Sequence, residues 1–282
     1  MDALTKKQLL IAATKIRMAA IEGTYHAKSG HPGGSLSIAD TLAALYFLHM
    51  RVDPKNPKWE DRDRLVLSKG HTAPALYGAL ALRGYFPMED IATLRHIGSH
   101  LQGHPDMKGT PGVDMTTGSL GQGVSAAVGM ALAAKIDGSD RKVYAILGDG
   151  EIEEGQVWEA AMFAAHKKLD NLCLVIDNNN LQIDGSIDEV NSPCPIPEKF
   201  AAFGFLVIVI DAHDPDQIDA ALKAAKDCKG KPTAIVQTSI KGRGVSFMEN
   251  QVGWHGTAPN KEQYEQAMQE LRAQLKNYEE AV

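Results

Sequence analysis

Two short stretches carry residue types that could do chemistry together. One is Gly148-Asp149-Gly150, a carboxylate between two glycines, and the other is Asn178-Asn179-Asn180-Leu181, 30 positions on. An ionised carboxylate and an amide oxygen suit a hard divalent cation, with waters and phosphate oxygens completing its shell. Glycines on either side of Asp149 let backbone approach a phosphate closely. A helix starting after Gly155 offers a further place for an anion. Alone, the first stretch reads as a tight turn and the second as a polar loop; their spacing is what couples them. A second set is imidazole. Of ten histidines, His31, His71, His104 and His255 each sit beside a glycine, where loops are expected. An imidazole can donate or accept a proton near neutral pH.

Coupling Asp149 to Asn179 requires elements that bring them to one place. Asp149 follows the apolar run Val143–Leu147, and Asn179 closes the run that begins at Leu172. The intervening QVWEAAMFAAHKKL has helical periodicity. If the two strands are neighbours, a right-handed crossover puts both side chains at the carboxyl edge of a parallel sheet, where ligands bind in such folds. The same alternation continues with EKFAAFGF (helix), LVIVID (strand), DQIDAALKAAKDCKG (helix), PTAIVQTSI (strand) and a final helix over 262–281. Upstream, DRLVLSKGH reads as a strand and VSAAVGMALAAKI as a small-residue helix. The fold class is therefore α/β, a parallel sheet covered by helices on both faces, in a single domain over 1–282.

Ahead of this region the pattern predicts a helix with Leu9, Ala13, Ile16 and Ala20 on one face, opened by a capping box from Thr5 and Gln8. SGHPGGSLS reads as a glycine-rich break. A second helix from near Ser37 carries Ile38, Leu42, Leu45 and Leu48 inward. Residues 103–123 hold too many Gly, Pro and Thr for regular structure. TTGSLGQGVSA could pass for a dinucleotide fingerprint, but it follows a loop rather than a strand and its third glycine is misplaced.

Composition excludes several function classes. A net charge of -6 and a pI near 5.9 argue against nucleic-acid and anionic-membrane partners. No apolar run is long enough to span a bilayer, and no signal-peptide layout opens the chain. Cys173, Cys194 and Cys228 have neither disulfide-framework nor metal-finger spacing. A cytoplasmic location is the expectation.

A glycine-flanked aspartate, a spacer of this length and a paired asparagine form the signature of thiamine diphosphate enzymes, which this chain resembles. More narrowly it resembles the N-terminal part of transketolases. The motifs are SGHPGGSLS around His31, SKGHTAPALYG around His71, LQGHPD around His104, TTGSLGQG around Gly118, LGDGEIEEG around Asp149, DNNNLQIDG around Asn179 and WHGTAP around His255. They occur in the family's order over nearly the whole chain.

The resemblance implies a thiamine diphosphate-binding fold and transfer of a two-carbon ketol unit between sugar phosphates. Asp149 and Asn179 would ligate Mg²⁺ (or Ca²⁺ or Mn²⁺) through side chains and Leu181 through its carbonyl. Gly150, His71, His255 and the Gly118-Ser119-Leu120 loop would hold the diphosphate and its linker. Ser119 stands where the family usually has proline, so backbone contact is implied there. His31 and His255 would meet the substrate hydroxyl that loses a proton, and His104 the donor's terminal hydroxyl and carbonyl. Glu154 and Glu159 match acidic positions near the family's dimer contact, and Lys241 and Arg243 lie on a loop that would cover the cofactor. His26, His49, His96, His100, His166 and His213 match nothing and are read as structural. The family's pyrimidine-binding and C-terminal domains have no counterpart in these motifs, so the sequence is either a cut fragment or one subunit of a split enzyme; the expectation is a second subunit carrying them, with two copies of each chain. Rival readings are the α-subunit of a 2-oxoacid dehydrogenase, which lacks SGHPGG, LQGHPD and WHGTAP, a deoxyxylulose-phosphate-type synthase, and a non-catalytic cofactor-binding scaffold.

Overall fold

Apolar runs make the strands here, because both faces of the sheet are covered over most of its width, edge residue Val209 staying exposed. The computed structural model describes residues 1–280. Its elements in chain order are α1 (Ala3–Ala27), α2 (Pro32–Ser37), α3 (Ala39–Ala44), β1 (Arg64–Leu67), α4 (Ala73–Arg83), α5 (Gln122–Ile136), β2 (Val143–Gly148), α6 (Gly155–His166), β3 (Leu172–Asn178), α7 (Ile187–Val190), α8 (Ile196–Phe203), β4 (Leu206–Asp211), α9 (Pro215–Asp227), β5 (Thr233–Thr238) and α10 (Lys261–Glu280). All strand pairs are parallel, in the order β1-β2-β3-β5-β4.

Side chains alternate across each strand, and the sheet separates two cores accordingly. Leu65, Tyr144, Ile146 and Val175 pack with α1, α3, α4 and α9 on one face. Val66, Ala145, Leu147, Leu174 and Ile176 pack with α5, α6 and α8 on the other. A third cluster joins Ile21 of α1 and Leu36 of α2 to Val245, Met248 and α10. The parallel α/β expectation holds in every strand. Among the described residues, no helix is long and apolar enough to cross a membrane.

Three local expectations are corrected. The cap of α1 is Asp2, whose carboxylate accepts the Thr5 N–H at 2.8 Å, so Thr5 and Gln8 form no box. SGHPGGSLS is not a break: His31 precedes a buried helical turn with Pro32 at its first position, where a missing N–H costs nothing. The second helix is interrupted at Ile38 and ends in a π-turn over Leu45–His49, which turns Leu48 to solvent. A capping box does occur, at Ser186 and Glu189 of α7. The Ala281 end of the final helix lies outside the described residues.

Candidate active site

The register of β2 and β3 sets Gly148 opposite Asp177, so both strands release their next residues side by side. Asp149 is 2% exposed; its carboxylate accepts the Gly150 N–H at 2.9 Å and the Asn180 N–H at 2.6 Å. Asn180 takes up φ 63 to present that N–H. Asn179 donates its amide to Asp177 at 3.0 Å and accepts the Leu181 N–H at 3.1 Å. Burial, then the nearby Asp177 carboxylate, push Asp149 up to about 6. A buried carboxylate so placed gains from any added positive charge. The donor set of carboxylate, amide and carbonyl oxygens suits a hard divalent cation. The Leu181 carbonyl already receives the Lys241 ammonium at 3.0 Å, so positive charge is accommodated at this spot.

Beneath these loops lies a buried ion pair. Lys69, 1% exposed, reaches the Asp177 carboxylate, which is 0% exposed. Burial alone would raise Asp177, but the Lys69 charge and hydroxyl donors Ser239 (2.5 Å) and Ser37 (2.8 Å) hold it at about 2. Glu151 plays a similar part: its carboxylate accepts from the Ser68 hydroxyl and from the backbone of Gly121 and Gly148 at 3.0 Å each, tying three loops together. Sequence reading passed over Lys69, Asp177 and Glu151. A signal existed for Asp177: it interrupts an apolar strand two residues before Asn179 and thus shares its face.

Two imidazoles, His71 and His255, line the other side, and the His31 ring packs against both. His31 precedes α2, His71 sits in a 3-10 turn ahead of α4, and His255 follows the turn Val252–Trp254. The His71 and His255 rings stack at 5.2 Å, and His31 meets them edge-on at 5.2 and 5.5 Å. Burial, Arg95 and neighbouring imidazole and Lys charges hold His31 at about 4, and burial with Lys241 holds His255 at about 3. His71 is likewise held well below the ordinary imidazole value by burial and the Lys69 charge. Lys241 lies 2.9 Å from His255 Nδ1 and is itself brought down to about 8 by burial and Lys69.

Between the two sides opens a cavity of about 220 Å³, lined by Gly34, His71, Leu120, Asp149, Gly150, Asn179, Leu181 and His255 among others. Gly34 is needed there: a Cβ would lie 2.9 Å from Thr72 and 3.7 Å from His71. His31, His104, Gly118 and Ser119 do not line it. A Cβ on Gly118 would meet the His104 ring at 2.9 Å, while Ser119 is exposed and its carbonyl accepts the Gln122 N–H at 3.3 Å. Glu154 and Glu159 are exposed, and Arg243 pairs with Glu249 at 3.5 Å rather than facing the cavity. The other histidines bind elsewhere: His26 to Glu22, His49 near Asp219, His96 to the His26 carbonyl, His100 to Asp90 and His213 to Asp40. His166 is exposed at the end of α6.

Residues 8–279 match the family model "Transketolase, thiamine diphosphate binding domain". The 6-deoxy-6-sulfo-D-fructose transketolase subunit SqwG of Clostridium sp. (strain MSTE9) is 51% identical, covering 92% of this chain and 94% of its own length. An apulose-4-phosphate transketolase subunit from Phocaeicola vulgatus is 42% identical, covering 96% of each. Among solved structures, a Pichia stipitis transketolase in complex with sedoheptulose 7-phosphate superposes with a TM-score of 0.90 at 34% identity, over 97% of this chain and 44% of its own. Campylobacter jejuni transketolase gives 0.88 at 34% identity, over 99% and 46%. This chain therefore spans under half the length of those solved chains.

Proposed function

Since the chain belongs to the transketolase family, as its thiamine diphosphate-binding domain, we propose that it is one half of a two-chain transketolase moving a two-carbon ketol unit from a ketose to an aldose phosphate. The second chain supplies the pyrimidine-binding and C-terminal domains, with two copies of each, in the cytoplasm. Relatives of similar length that are named as subunits support this division. In this reading Asp149, Asn179 and the Leu181 carbonyl hold Mg²⁺, for which Ca²⁺ or Mn²⁺ can substitute. Gly150, His71, His255 and backbone of Gly118, Ser119 and Leu120 hold the diphosphate end of the cofactor. Glu154 and Glu159 belong to the contact between subunits.

When bound, thiamine diphosphate supplies the electron sink for breaking a C–C bond beside a carbonyl. This chain orients the sugar and handles its proton. The Lys241 ammonium can only donate, so it meets His255 at an unprotonated Nδ1. His255 then carries its hydrogen on Nε2 and presents a donor. His31, kept neutral by burial, is left as the group that accepts the hydroxyl proton. His104 holds the donor's terminal hydroxyl and carbonyl.

One observation carries the reading: neighbouring strand ends place Asp149 and Asn179 together, opposite three packed imidazoles. The test begins with calorimetric titration of the full chain with Mg²⁺ and thiamine diphosphate. Asp149→Ala is expected to weaken binding by at least ~100-fold, more than loss of a group behind the ligands costs. A co-purifying second chain from native extract should then confer ketol transfer from xylulose 5-phosphate to ribose 5-phosphate but no turnover of pyruvate. The first-named relative makes 6-deoxy-6-sulfo-D-fructose a second donor to assay. Robust transfer by the single chain would refute the two-chain division, and transfer surviving Asp149→Ala at ordinary Mg²⁺ would refute the metal site.

A further inference from the structure

We propose that His213 is a positioning residue that seats Lys241, acting as a two-ended spacer between a buried ion pair and the Ile240 amide. The inference rests on the proposed cofactor site, because Lys241 matters through the groups it touches there. His213 lies in the turn after β4, with a side chain only 8% exposed. Its Nε2 accepts the Ile240 N–H at 2.9 Å, and its Nδ1 lies 2.8 Å from Asp40. A ring nitrogen that accepts an N–H carries no hydrogen, so the proton sits on Nδ1 and is donated to Asp40. The imidazole is thereby neutral and locked in one tautomer and one orientation.

The far end of this spacer is anchored. Asp40 of α3 pairs with Arg17 of α1, both buried, and the Arg17 Nε donates to the Leu36 carbonyl at 3.2 Å. A buried pair of this kind resists displacement, since moving one partner leaves the other charge uncompensated. At the near end, Ile240 precedes Lys241, whose ammonium reaches the Leu181 carbonyl and His255. On the other side of Lys241, the Gly242 N–H donates to the Gly33 carbonyl at 2.9 Å and the Asn250 N–H to the Lys241 carbonyl at 2.9 Å. His213 thus fixes the approach to Lys241, and those two bonds fix its exit. A polar cavity of about 290 Å³ bordered by Arg17, Asp40, His213 and Arg243 would admit water to the Ile240 amide if the ring were removed.

The experiment compares the full chain with His213→Leu and His213→Gln. A glutamine amide carries a donor and an acceptor about as far apart as the two ring nitrogens and can keep both bonds. Two quantities are measured: amide hydrogen exchange across residues 239–250 without ligand, and affinity for Mg²⁺ with thiamine diphosphate. The leucine variant is expected to exchange faster across 240–250 alone and to bind about tenfold more weakly, with glutamine restoring affinity to within about threefold. If leucine compromises folding, His213→Asn, which can reach Asp40 but not the Ile240 amide, serves the same comparison. Wild-type exchange and affinity in the leucine or asparagine variant would overturn the proposal, as would a glutamine variant no better than leucine. Failure of the unmodified chain to bind the cofactor would instead strike the proposed function, while the exchange measurement still judges the loop.

Discussion

Lys69 and Asp177 show how much a single buried charge can depend on its partner. Neither side chain has meaningful access to water, so each is tolerated because of the other. Lys69→Met is expected to cost about 3–5 kcal/mol in denaturant unfolding, and Lys69→Met combined with Asp177→Leu to recover much of that. The double variant should still bind Mg²⁺ poorly, since Asn179 loses the acceptor that orients its amide. Imidazoles set the acid limit. Burial holds His49 and His31 at about 4 and His255 at about 3, below the ordinary value of 6.5. The unfolded chain takes up protons at these rings before the folded chain does. Their contribution to stability is therefore complete above pH 6.5 and is lost as pH falls toward 4. The midpoint of thermal unfolding should drop by roughly 5–10 °C between pH 7 and pH 4.5. His49→Gln, far from the cavity, should flatten that slope.

Strands were the legible elements. Val143–Leu147 and Leu172–Ile176 are apolar throughout and bounded by polar turns, so their type, direction and neighbour relation could be inferred, and Asp149 with Asn179 came with them. The stretch from Ser29 to His49 was misread because contacts there override local preference. Gly33 and Gly34 look like breakers, yet they sit in α2 because neighbours come too close for a side chain. A Cβ on Gly33 would lie 2.8 Å from the Trp254 carbonyl. The pairing of Lys69 with Asp177 escaped notice because 108 positions separate them and no periodicity relates them. His213 escaped for the same reason, its partners lying on α3 and after β5. The packing of α4 on α1 allows a separate test of element against site. A Cβ at Gly78 would come 2.9 Å from that of Ala19. Gly78→Val is expected to lower unfolding free energy by about 2 kcal/mol, while the folded fraction keeps wild-type cofactor affinity.

At the scale of the molecule, several large apolar side chains remain exposed. Leu120 and Ile183, which line the cavity, and Met162 and Phe163 on α6 are among them. In the two-chain reading they are covered by the partner. Met162→Asp with Phe163→Asp should abolish co-elution with the second chain in size-exclusion chromatography while leaving the far-UV circular dichroism unchanged. The parallel sheet has a further practical consequence. With every strand pointing one way, the chemistry gathers at one pole and leaves the other silent. That silent pole holds the turn before β5, where Lys229 is exposed and the Gly230 N–H meets Asp170 just ahead of β3. A fluorophore or surface tether grafted onto Lys229 would hold the molecule by its back, with the loops of Asp149 and Asn179 turned outward to solution.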